Sequence, residues 1–104
     1  MDILAMTLPR LEVMARLAGD PRVARDPVAL AELRETFRYL SSVCRALLPD
    51  LEEALADLPP GTAPDAPVEE RVAFQMSLVK RTNRLHRAVE AYLLSRGEER
   101  RQAV

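Results

Sequence analysis

From Leu30 to Leu58 apolar side chains return at alternating steps of three and four without a break: Leu30, Leu33, Phe37, Leu40, Cys44, Leu47, Leu51, Ala54 and Leu58. This is the a/d spacing of a helix docked along its length on another helix. Asp26 ahead of it is a good N-cap, and Pro27 takes the first helical position, where a missing N–H costs nothing. Pro49 falls on the outer face of the register. The spacing therefore predicts one long helix over about 27–58, kinked near Pro49 but not broken there.

The stretch "LPPGTAPDAP", Leu58 to Pro67, holds four of the eight prolines and reads as a stiffened loop over 59–66. A second long helix is expected over about 67–96, with Glu69 and Glu70 in its first turn and a wide apolar face of Val68, Val72, Leu78, Val79, Leu85, Val89, Tyr92 and Leu93. Gly97 reads as its stop, and 97–104 as a frayed tail. A shorter helix is expected over about 7–18. Thr7 would cap it, Pro9 would lie in its first turn, and Leu8, Leu11, Met14, Leu17 and Ala18 would form one stripe.

These elements make an all-α single domain of 104 residues: a long antiparallel helical hairpin with a short N-terminal helix. Aromatics are 4% of the chain and Trp is absent, so the core must come from Leu, Val, Ala and Met, which suit helix-on-helix packing. A helix of about 30 residues is about 45 Å long. A lone hairpin of that length leaves apolar surface wet, and a short first helix covers only part of it. The reading therefore implies a second chain and a helical-bundle homodimer. Leu33, Phe37, Leu40, Leu47, Leu78, Leu85, Val89 and Tyr92 would carry the contact with partners.

Net charge is −1, which gives no global attraction to nucleic acid or anionic membrane. Cys44 is the only cysteine, so no internal disulfide forms and a reducing compartment fits best. The first ten residues lack a signal-peptide pattern, and no apolar run reaches the roughly 20 residues of a membrane span. A cytoplasmic protein is expected.

The stretch "KRTNRLHR", Lys80 to Arg87, concentrates four of the fifteen basic residues and the only histidine. Lys80, Arg84 and Arg87 share one helical face. That face reads first as solvated surface and second as a contact for nucleic acid, although the aromatic stacking and domain-wide positive charge of such sites are missing. The string from Arg81 to His86 also resembles the Arg-x4-6-His motif of the HEPN superfamily, small helical domains that are often metal-independent ribonucleases. The resemblance implies that Arg81 and His86 meet across a dimer interface and act on the RNA backbone, as in a ribonuclease or toxin. Thr82 stands where that family usually has Asn, Asp or His, and Ala88 where many members have Tyr.

Other chemistry is sparse. One His and one Cys show no zinc-ligand spacing, and three glycines leave little room for a nucleotide cradle, so no metal and no cofactor are expected. Cys44 falls on the seam and reads as a small core residue. Thr82 and Gln75 are polar positions on the apolar face of the last helix. They either fix register and partner or, for Thr82, bond the backbone four residues back. Asp50, Glu52, Glu53, Asp57, Asp65, Glu69 and Glu70 flank the loop against Arg71 alone, a local charge of about −6 (seven minus one) on the expected hairpin tip. The function these features favour is a small non-enzymatic interaction or assembly protein acting through helix faces. A HEPN-like ribonuclease comes second, and a nucleic-acid-binding accessory protein third.

Overall fold

The computed structural model of the protein describes residues 3–48 and 61–102, with side chains described as far as Gly97. It is all-helical, and no strand occurs among the described residues. Helix α1 spans Ile3–Ala18, a 3-10 turn spans Pro21–Arg25, α2 spans Pro27–Leu47 and α3 spans Val68–Gln102.

The N-terminal helix is longer than its sequence signals suggest. It starts a turn before Thr7, whose hydroxyl donates to the Ile3 carbonyl at 2.7 Å and caps nothing. Pro9 accordingly lies in the helix interior, where proline costs about 3 kcal/mol. The added turn buries Leu4, and burying a leucine side chain is worth about 1.5–3 kcal/mol, the same order as that cost.

At the head of α2 the Asp26 carboxylate accepts from the backbone N–H of Val28 at 3.1 Å and of Ala29 at 3.2 Å. The helix stops at Leu47. Leu48 has left helical geometry (φ −133°, ψ 79°), because the ring of a following proline disfavours the helical region for the residue before it. The expected continuation to Leu58 and the kink at Pro49 lie outside the described residues. Helix α3, at 35 residues, accounts for most of the molecule's 57 Å length. It runs straight through Gly97. A mid-helix glycine costs only about 1 kcal/mol relative to Ala, and the residues after it, Glu98 to Arg101, are good helix formers.

Chain direction differs from the expected hairpin. Gln75 of α3 bonds the carbonyl of Ala18, the last residue of α1, while His86, three turns on, faces Glu12. So α3 runs antiparallel to α1. Helices α1 and α2 are joined by the short 3-10 turn and form the antiparallel pair. It follows that α2 and α3 point the same way. The approach to α3 agrees: Gly61 lies against the Arg34 side chain, and Pro64 lies beside Pro27, Val28 and Ala31 in the first half of α2.

The core lies where the three helices meet. Leu4, Leu11, Met14 and Ala18 come from α1, Leu30, Leu33, Phe37, Leu40 and Cys44 from α2, and Phe74, Leu78, Leu85 and Val89 from α3. The α1 helix makes its most extensive contact with α3, whose Leu78, Leu85 and Val89 are buried while Val68, Val72 and Tyr92 of the expected apolar face stay exposed.

Candidate functional site

Two open grooves flank the α1 helix. Three polar contacts lie on or near α1. The Gln75 amide is buried and donates to the carbonyls of Ala18 and Asp20, both at 2.6 Å. It thereby satisfies the Ala18 carbonyl, at the end of α1 where a helix leaves its last carbonyls unpaired, and adds a second bond to the Asp20 carbonyl, which also accepts from the Val23 N–H. His86 Nε2 lies 3.4 Å from Glu12 Oε1, with the imidazole 20% exposed. The Asp20 carboxylate accepts from the Arg22 backbone N–H at 2.9 Å and from its guanidinium at 2.7 Å. The Arg22 hydrogen bonds hold the Asp20 carboxyl down at about 2 and raise the arginine in turn.

The first groove, about 1030 Å³, runs between the end of α1 with its 3-10 turn and the face of α3. Its α3 wall contains the ridge Val72, Met76, Lys80, Arg84, one residue per turn at i, i+4 spacing, with Arg81 on the ridge beside it. Ala18, Gly19, Pro21 and Ala24 form the opposite wall. The second groove, about 390 Å³, lies between α1 and α2. Pro9, Val13, Leu17, Leu33, Tyr39 and Leu40 make it almost wholly apolar, with Arg10 and Thr36 as its polar members.

The residues expected to meet a partner divide sharply. Leu33, Phe37, Leu40, Leu78, Leu85 and Val89 are buried in the core of the single chain. They hold the three helices of the single chain together, and Leu33 and Leu40 also reach the floor of the second groove. Leu47 and Tyr92 are exposed.

Lys80, Arg84 and Arg87 are exposed on one side of α3. Lys80 and Arg84 line the first groove, and Arg87 Nε donates to the Asn83 carbonyl at 3.4 Å. Arg81 bonds the Ser77 hydroxyl one turn back, whereas His86 faces Glu12. Five residues along a helix turn two side chains about 140° apart, so one chain does not bring Arg81 and His86 together.

The Thr82 hydroxyl is buried and donates to the Leu78 carbonyl at 2.7 Å, the self-satisfying arrangement. Cys44 is buried, and burial pushes its thiol up, away from the reactive thiolate. Among the described residues no three His, Cys, Asp or Glu side chains are placed to hold a metal ion, and no helix is long and apolar enough to cross a membrane. Asp50, Glu52, Glu53 and Asp57 lie outside the described residues.

Sequence reasoning missed the outer stripe of α1 and set Leu17, which is exposed, on the inner one. Ile3, Met6, Val13 and Leu17 are all exposed and, with Arg10, repeat at steps of three and four. The signal was present, but Arg10 interrupts it and its first turn falls before the expected helix start. No protein-family model matches the chain, and no characterised protein or solved structure matches it either.

Proposed function

We propose that this chain is a small non-enzymatic interaction or assembly protein that works through helix faces and pairs with a second copy through the outer face of α1. The observation that carries the reading is the wet stripe beside the second groove: Ile3, Met6, Val13 and Leu17, with Leu17 54% and neighbouring Tyr39 60% exposed. These five side chains leave on the order of 500 Å² of surface in water, near the upper end for the largest patch on an ordinary monomer. A stable dimer buries about 800 Å² per partner, so the polar rim must supply the remainder and a weak, concentration-dependent dimer follows.

The stripe also suits a second copy. Ile3 and Leu17 stand seven residues either side of Arg10, with Met6 four before it and Val13 three after it. An antiparallel copy of α1 would therefore set the two apolar ends of the stripe against each other, as an isologous two-fold contact allows. Two α1–α2 hairpins would then form a four-helix layer, with each α3 outside it.

Analytical ultracentrifugation over a wide concentration range tests the reading. The expected result is a reversible monomer–dimer equilibrium that the double change Val13→Glu, Leu17→Glu abolishes while helicity by circular dichroism is retained. A monomer at every concentration overturns it.

A further inference from the structure

The first groove changes character along its length. Val72 and Met76 open it, with Met76 67% exposed, and Pro21 and Ala24 stand across from them. One and two turns on, the same ridge becomes Lys80 and Arg84, with Arg81 alongside. Among its fourteen lining residues are three cations and no carboxylate. Neither Lys80 nor Arg84 forms an ion pair among the described residues, and the nearest carboxylate of the turn, Asp20, is engaged by Arg22. A chain of net charge −1 thus holds a local positive end on an apolar trough.

We propose that this groove is a docking site for an acidic amphipathic helix. Its apolar side chains sit over Val72 and Met76, and its carboxylates over Lys80 and Arg84. The helix-in-groove mode fits, because Val72 to Arg84 covers just over three turns, or about 18 Å, and presents anchors at helical spacing. Nucleic acid fits less well. The apolar half offers it nothing, and no aromatic residue lines the groove for a base to stack on. The site extends the interaction reading to a different surface from the α1 stripe, so the two stand or fall separately.

The probe is a fluorescein-labelled helical peptide of about four turns, with leucines along one half of a face and glutamates along the other half. Controls are the same composition scrambled, the Glu→Gln form, and a single-stranded RNA of matching length. Fluorescence anisotropy on the full chain should show the patterned peptide binding at least about tenfold more tightly than either peptide control. Binding should weaken as salt rises. Lys80→Glu with Arg84→Glu should reduce it at least about tenfold, and so should Met76→Asp alone. Circular dichroism should show both variants folded, and sedimentation should match wild type whether or not the wild type dimerises.

Equal binding of patterned and scrambled peptides overturns the proposal, since it shows charge without docking. Indifference to Met76→Asp does the same. RNA binding that is lost on charge reversal but untouched at Met76 assigns the groove to nucleic acid instead.

Discussion

The two sides of α1 carry the same pattern and meet different fates. Leu4, Thr7, Leu11, Met14 and Ala18 repeat at three and four and are buried against α2 and α3. Ile3, Met6, Arg10, Val13 and Leu17 repeat at the same steps, one position earlier, and stay in water. The inner stripe includes two small members, Thr7 and Ala18, which let neighbouring helices approach. The outer stripe has a charged residue at its centre. Periodicity marks both as helix faces, but residue size and charge separate the face used within the chain from the face left over.

The largest test of this contrast is a matched pair of truncations. Leu11 is fully buried, so Leu11→Ala should cost about 2–5 kcal/mol and bring the chain close to unfolding. Leu17→Ala should change monomer stability by less than about 0.5 kcal/mol. Urea titrations in dilute solution measure both. Comparable losses at the two positions would erase the distinction between the faces.

The Gln75 amide fixes the α1 end of the inner face. Gln75→Met keeps the volume but leaves the Ala18 carbonyl, on a fully buried residue, without the donor it has now. A loss of about 1–3 kcal/mol is expected, the cost of an unsatisfied buried acceptor. Amide exchange should quicken first in the last turn of α1. A neutral outcome would mean that water replaces the amide there and that the inner face does not depend on this bond.

These tests also mark what the sequence could disclose. The all-α character and the buried run from Leu30 to Cys44 were legible, because three-and-four spacing after an Asp-Pro start admits little else. Where α2 ends was not legible from spacing, since the apolar register continues past Pro49 and says nothing of backbone geometry. Chain direction was not legible at all. A helix presents the same repeat read either way, and only Gln75 against Ala18 and Gly61 against Arg34 reveal that α2 and α3 point together. Both grooves lie where α1 meets its neighbours, so neither was visible beforehand. The basic half of the first was visible as "KRTNRLHR", but its apolar half and opposite wall come from residues far away in sequence.

Pro9 offers a gain where the other changes bring losses. It is exposed inside α1 and denies the Ala5 carbonyl its helical donor. Pro9→Ala restores that bond and removes the ring clash, worth about 3 kcal/mol in a helix interior. It also returns about 1 kcal/mol of entropy to the unfolded chain. A net stabilisation of about 1–2 kcal/mol by urea titration is expected. A loss would show that α1 is bent at Pro9 to suit the inner stripe, and that straightening it strains the core.

The smallest effect concerns the turn that sets α1 against α2, and so shapes the second groove. The Asp20 carboxyl is held at about 2 by its hydrogen bonds to Arg22, below its ordinary value of 3.8. A depressed carboxyl contributes stability above the unfolded value and loses it as pH falls toward the folded one, so the window is between about pH 4 and pH 2. Asp20→Asn keeps an N-cap of similar strength and removes the charge. Wild type should melt slightly above the variant at pH 6, and the difference should close by pH 2. The exposed setting keeps the gap small because solvent screens the pair. A difference that is the same at both pH values would mean that the Asp20–Arg22 ion pair adds nothing, and that the cap alone holds α1 and α2 at the angle that opens the groove between them.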